Sequence, residues 1–229
     1  MVHIFVDFEM NQVSWKDRGA SGPIKNEIIQ IGAVKLSEDY RVLSVYEAFV
    51  RPMYSTICPI CTRLTGIVQT QVSAARTLPD AIEDFLAWVN DAQAKYYSWS
   101  DNDSRQLWQE RRYKGVDESK IVLFDDWADF QKEYSDVVGQ SRMGLDIALS
   151  GAGLKQIGSK HSAAADALSS VQLLKLIRSP KYFGEGRLEN IVRHTRRVRN
   201  EQQERRQAVR AKQAQRSQPM KESKPKANS

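Results

Sequence analysis

Three short stretches of this sequence carry residue types that can do chemistry together. Asp7 and Glu9 stand two positions apart at the end of an opening β-rich run, residues 2–8. In an extended chain, positions i and i+2 point to the same face, so the two carboxylates project together. Asp101 and Asp103 follow a second β-rich run at 95–99 and open a helix; either could serve as its N-cap, and either could face a site. His161 stands just before a helix that Ser162 would cap, with Asp166 in its first turns. The small residues between Ser162 and Ala165 leave space around that histidine. Acids and one histidine at strand ends and helix starts suit one mechanism. Two divalent cations about 3.5–4 Å apart need several converging carboxylates, and they stabilise both the attacking and the leaving oxygens of a phosphodiester displacement. Mg²⁺ or Mn²⁺ takes oxygen ligands and keeps part of its water, so Asp and Glu are suitable and cysteine is unnecessary. A histidine titrating near neutrality can take the proton of the attacking water.

The elements that must position these residues are legible from periodicity. Val2, Ile4 and Val6 alternate, and residues 27–36 (EIIQIGAVKL) and 42–50 (VLSVYEAFV) are further β-rich runs. With short polar gaps between them, these three predict an antiparallel meander. The polar, Gly/Ser/Pro-bearing segment 11–26 reads as a loop. Leu78-Pro79-Asp80 opens a helix whose Ile82, Phe85, Leu86 and Val89 follow helical spacing. Residues 102–113 read as helical, 121–124 as a further strand, and 127–138 and 145–149 as short helices. Residues 162–177 predict a helix with Ala165, Leu168, Val171, Leu174 and Ile177 on one face. The expectation is an α/β domain with a mixed sheet flanked by helices, ending near residue 186. Residues 187–229 form a basic tail, helical from about Leu188 and fraying into disorder.

Composition excludes several classes. The 229 residues are 41% hydrophobic and 27% charged, enough apolar material for a core. No run approaches the ~20 apolar residues of a membrane helix, and no signal peptide is expected ahead of the opening strand. Two cysteines cannot build a disulfide framework or a four-ligand zinc site. A cytoplasmic protein with no membrane partner is expected. The net charge of +6 hides an asymmetry: residues 187–229 hold 13 Lys and Arg against 4 acids, leaving the body mildly acidic. Such a tail suits a polyanion. Cys58-Pro-Ile-Cys61 has redox-like spacing but lacks the βαβ context of such motifs, and reads as packing. Trp88 and Trp127 read as core, whereas Trp15 in the loop could stack on a base.

The order D-x-E, then a mid-chain Asp, then H-x4-D resembles the DEDDh 3′–5′ exonucleases of the ribonuclease H-like superfamily, over about residues 1–180. EIIQIGAVKL, Leu64-Thr65-Gly66-Ile67 followed by Gln69-x-x-Val72, Cys61 and WSDNDSRQL are similar to the bacterial KapD-like and animal histone-mRNA and RNA-interference exonuclease subgroup. The resemblance implies a ribonuclease H-like mixed five-stranded sheet and two Mg²⁺ or Mn²⁺ per site. It assigns the ligands to Asp7, Glu9, Asp103 and Asp166, with Asp101 an alternative to Asp103 and His161 as general base. It would place Phe8, Met10, Leu64 and Thr65 around the 3′-terminal nucleotide. The implied activity is metal-dependent 3′–5′ hydrolysis of single-stranded nucleic acid, RNA favoured over DNA, to nucleoside 5′-monophosphates by a monomer or homodimer. A DNA-trimming or proofreading exonuclease and a non-catalytic RNA-binding module are the alternatives.

Overall fold

Alternation along the first strand decides which face of the sheet receives the acids. In β1 (His3–Gln12), Ile4, Val6 and Phe8 enter one buried apolar layer and Phe5 the opposite one, so Asp7 and Glu9 lie on the Phe5 face. The structure, a computed structural model, describes residues 1–121, 124, 126–178 and 187–216. A short α1 (Arg18–Ser21) leads to β2 (Asn26–Leu36) and β3 (Val42–Phe49). Then come α2 (Pro59–Thr65), α3 (Gln69–Ser73), α4 (Leu78–Val89), β4 (Lys95–Ser98), α5 (Asn102–Lys114) and α6 (Glu118–Ile121). The chain continues through β5 (Ala128–Asp129), α7 (Phe130–Val137), α8 (Leu145–Gly151), α9 (Ala163–Arg178) and α10 (Arg187–Arg216).

The five strands lie in the order β3-β2-β1-β4-β5. β1–β2 and β2–β3 are antiparallel, while β1–β4 and β4–β5 are parallel, so the sheet is mixed, as expected. Among the described residues, neither end of the run 121–124 is strand. Ile121 ends α6, residues 122 and 123 lie outside the described residues, and Phe124 is buried against Phe85 and Tyr96. The fifth strand is the two-residue β5, inside a stretch that reads as helix from sequence. The segment 11–26 is likewise less irregular than expected, because β1 runs on to Gln12 and α1 forms within it.

Helices cover both faces. α4 and Leu107 of α5 pack on Ile4, Val6 and Ile31; α7, α8 and α9 pack on Phe5, Val34 and Leu36. α9 sits close against β2 at Gly32, where an added Cβ would lie 2.1 Å from the Ala163 carbonyl carbon. Only glycine admits that approach. Between Glu9 and Met10 the β1–β2 register skips Ile29, a bulge. The extra residue reverses the parity of β2, so Ile28 joins Ile31 and Ala33 while Ile29 packs with Cys61, Ile67 and Val72 under α2 and α3. The first half of α10 docks on α8, with Ile191, Thr195 and Val198 buried.

Candidate active site

The site opens where β4 stops pairing with β1. Their last paired residues are Phe5 and Tyr97, so the backbone of β1 beyond that point is free on this side. Asp103, in the first turn of α5, fills the gap: its Oδ1 accepts the Phe8 N–H at 3.0 Å. α5 reaches this position through an unusual polar stripe at helical spacing. Gln106 donates to the Asn26 carbonyl at 2.6 Å, and Glu110 accepts the Ile28 N–H at 2.7 Å. Lys114 pairs with Glu27 at 2.9 Å and with Glu110, all three buried. Glu27 in turn accepts the N–H groups of Met53, Tyr54 and Ser55. Asp101, one turn-position earlier, points outward and pairs with Arg105 at 3.3 Å.

From the other side, α9 brings Asp166. Buried Gln30 of β2 accepts the Ala163 N–H at 3.1 Å, which satisfies one of the free donors at the start of α9. Its amide also donates to Glu47 at 3.0 Å, so β2 and β3 together hold the helix start. Asp166 accepts from the Gln156 side chain and from the His161 N–H, the latter at 3.2 Å. His161 has φ +62°, a left-handed conformation that turns the loop sharply and costs a residue with a Cβ about 1–2 kcal/mol. Donor atoms of Glu9, His161 and Asp166 all lie within 4.8 Å of one another.

The carboxylates perturb one another strongly. Burial, then the neighbouring Asp103, Asp166 and Glu9, pushes the Asp7 carboxyl well above the ordinary range. Burial, then Asp166 and Asp103, raises Glu9 to about 8. Burial raises Asp103 to about 7 against the opposing hydrogen bond from the Phe8 N–H. Asp166 is raised by burial, partly offset by Gln156 and the His161 N–H. Carboxyls raised by crowding are in effect waiting for positive charge. The four carboxylates, a set of hard oxygens, fit a divalent cation of the Mg²⁺ or Mn²⁺ kind, and the His161 imidazole stands beside them.

Asp7, Glu9, Asp103, Asp166 and His161 thus meet in one crevice, from β1, α5 and the start of α9. The other expected residues separate. The Phe8 side chain turns to the opposite sheet face, edge-on to Trp127, and only its backbone N–H faces the crevice. Met10 packs partly buried on that same apolar layer. Leu64 is 54% exposed on α2. Thr65 shares a cleft of about 430 Å³ with Gln30, Glu47, Ile157 and Ser162. Trp15 is 75% exposed. Cys58 accepts the Cys61 N–H at the start of α2, and Cys61 is buried with its thiol pushed up by burial. Sequence reasoning missed Gln30, Gly32 and Gln156. A glutamine and a glycine inside an apolar strand were a signal of close approach; Gln156 carried none.

A mixed five-stranded sheet flanked by helices, with acids crowded on β1 just past the last residues it pairs with β4, is a ribonuclease H-like fold. A family model described as Exonuclease (RNase_T) matches residues 4–174, most of the chain, and the chain belongs to that family. It is 28% identical over 193 residues to "ERI1 exoribonuclease 2" of Danio rerio, covering 74% of this chain and 34% of that protein. With "Probable 3′-5′ exonuclease KapD" of Bacillus subtilis (strain 168) it shares 26% identity over 161 residues, 69% of this chain and 77% of the relative. The nuclease domain of 3′hExo, a DEDDh family member bound to rAMP, superposes with a TM-score of 0.69 at 19% identity, covering 80% of this chain and 94% of that one. The chain spans about a third of the length of the ERI1 exoribonuclease 2 relatives it matches. No helix among the described residues is long and apolar enough to cross a membrane.

Proposed function

We propose that the chain hydrolyses single-stranded nucleic acid from the 3′ end, RNA in preference to DNA, releasing nucleoside 5′-monophosphates. The observation that carries this reading is the convergence of Asp7, Glu9, Asp103 and Asp166 with His161 on β1 beyond its pairing with β4. In it, the four carboxylates would hold two Mg²⁺ or Mn²⁺ ions. When bound, such a pair supplies Lewis-acid stabilisation of the attacking and leaving oxygens. The chain's own residues do the rest. His161 takes the proton of the attacking water at its free imidazole nitrogen. Its backbone N–H, bonded to Asp166, ties the base to a ligand carboxylate and so fixes its approach. The Phe8 N–H orients Asp103, whose second oxygen is left for a cation. The cleft shared by Thr65 and Ser162 receives the terminal nucleotide. Residues 1–186 carry the catalytic side chains in this reading, and the docked first half of α10 packs onto them. The names of the relatives, exoribonucleases and a 3′-5′ exonuclease, support the direction of attack and favour RNA.

The test is product analysis on single-stranded RNA and DNA of matched sequence, with Mg²⁺, Mn²⁺ or EDTA. Stepwise shortening from the 3′ end with 5′-monophosphate release, faster on RNA and abolished by EDTA, is expected. Internal cleavage, or undiminished cleavage in EDTA, would overturn the reading.

A further inference from the structure

The charge of α10 is left over by this mechanism, and the helix holds it in two distinct ways. Its first half is docked: Ile191, Thr195 and Val198 are buried, and Leu188 and Val192 pack partly beside them. The approach is tight, since a Cβ on Gly151 of α8 would lie 2.2 Å from the Thr195 hydroxyl. From residue 203 to 213 every side chain is exposed, so the second half of α10 projects from the body into solvent beyond the α8 cleft. Residues 203–216 hold five Lys and Arg against one Glu, and Val209 is their only large apolar residue. A helix that is polar all round either bridges to something or is laced by its own i,i+4 pairs. Lacing is absent: among the described residues no ion pair involves Arg205, Arg206, Arg210 or Lys212, and Arg197–Glu201 is the pair on this helix, at 3.8 Å.

The two halves meet at a cleft of about 300 Å³ beside α8. Arg142 and Gly144 line it just ahead of α8 and Asp146 from its first turn; Arg199, Gln202 and Arg206 line it from α10. Arg142 is anchored on Asp129 at 2.6 Å, and Arg199 on the Ser141 carbonyl at 3.1 Å, so both guanidiniums are held in place. Asp146 is the one acid in this lining, and it is paired with Lys160 at 3.4 Å. Lys160 directly precedes His161. A line of cations therefore runs from the histidine loop, across the cleft, and out along the projecting helix.

We infer that the α8–α10 cleft and the projecting half of α10 form a track for the phosphodiester backbone of the substrate strand upstream of its 3′ end. The upstream direction rests on the exonuclease reading of the site; the binding itself does not. Charge complementarity selects the occupant, and the predominance of Arg over Lys selects phosphate, which guanidinium grips bidentately. From Arg199 to Arg210 the helix rises about 16 Å at ~1.5 Å per residue, the span of about five stacked phosphates at ~3.4 Å each. The track grips the backbone, independently of base sequence.

The test uses the full chain, with residues 205, 206 and 210 changed together (R205Q/R206Q/R210Q); all three are exposed, and circular dichroism checks that α10 persists. Binding of fluorescent oligouridylates of about 20 and about 3 nucleotides is followed by anisotropy in EDTA across a salt series. The long strand should bind roughly tenfold more weakly, with its log–log salt slope smaller by about 2, at ~0.7 for each phosphate that an arginine no longer neutralises. The trinucleotide should change less than about twofold, because it ends before the arm. An unchanged long-strand affinity and slope, or an equal weakening for the trinucleotide, overturns the track. Competition by polyglutamate as effective as that by unlabelled oligouridylate also overturns it, since the arm would then be a general anion sink. If the unaltered protein binds with this length dependence yet hydrolyses neither RNA nor DNA, the exonuclease reading fails and the track survives.

Discussion

Free of metal, the crevice holds more carboxyl groups than can ionise together without strain. Glu9 is raised from 4.5 to about 8 and Asp103 from 3.8 to about 7, so the folded chain binds protons that the unfolded chain has already lost. The sign follows. The stabilisation from these groups is full below about pH 4 and disappears as pH rises through 7 to 8. With EDTA present, Tm should fall between pH 5.5 and 8, and Mg²⁺ should restore more of it at pH 8 than at pH 5.5. Asp7→Asn should flatten the profile and leave the metal-free fold equal or more stable, while abolishing Mg²⁺-dependent cleavage. A flat Tm profile for the unaltered chain would contradict the crowding argument. His161 differs from the acids, since its work is on a proton rather than on a cation. His161→Ala should lower the cleavage rate roughly 10²–10⁴-fold with little change in Mg²⁺ affinity, measured by titrating activity and Tm against Mg²⁺. Loss of Mg²⁺ binding in that variant would make the histidine a ligand instead.

Among the elements, α5 shows how a helix can be seated without an apolar stripe. Its sequence, NDSRQLWQERRYK, has one buried large apolar residue, Leu107, and its buried face otherwise consists of Asp103, Gln106, Glu110 and Lys114. These four grip the backbone and side chains of β1 and β2, and so set where Asp103 points. Removing one member of a buried ionic cluster leaves the rest uncompensated, at about 3–5 kcal/mol. Lys114→Ala should therefore lower stability by about that much in urea unfolding. It should also reduce cleavage by the folded fraction, because α5 carries Asp103. A Lys114→Ala protein with unaltered stability would mean that Glu27 and Glu110 are held by their backbone N–H bonds alone. This stripe was partly legible: Glu110 and Lys114 stand at i,i+4, a spacing that usually marks a solvated pair. The three long strands and α9 were legible because alternation and a 3.6 period repeat often enough to be seen. Two residues cannot show a period, so β5 was hidden; its strand state comes from pairing with Tyr97 and Ser98. Gln30 as the anchor of α9 was hidden for a related reason, a contact between positions 133 residues apart.

At the scale of the whole molecule, the sequence distinguishes a mildly acidic body from a basic end but not how the two are joined. The reading of residues 187–229 as a basic tail, helical from about Leu188, does not say where that helix lies. α10 divides near Gln202, docked before it and projecting after it. This division makes a sharp prediction for truncation. Ending the chain after residue 202 removes no buried side chain among the described residues, so Tm should hold while long-strand affinity falls. Ending it after residue 186 removes Ile191 and Val198 from the core of α8 and α9 and uncovers Gly151. At about 1.5–3 kcal/mol for each buried aliphatic side chain, the loss is on the order of 3–6 kcal/mol. Since folded domains have about 5–15 kcal/mol in all, the shorter chain should melt far lower or fail to fold. Thermal unfolding of the two truncations, beside the full chain and in EDTA to exclude metal stabilisation, decides the matter. Equal melting temperatures would mean that the docked half of α10 adds nothing to the core. A collapse at the longer truncation would mean that the projecting half is held to the body after all. The division at Gln202 instead requires stability to be lost only with the shorter chain, and affinity for long strands already with the longer one.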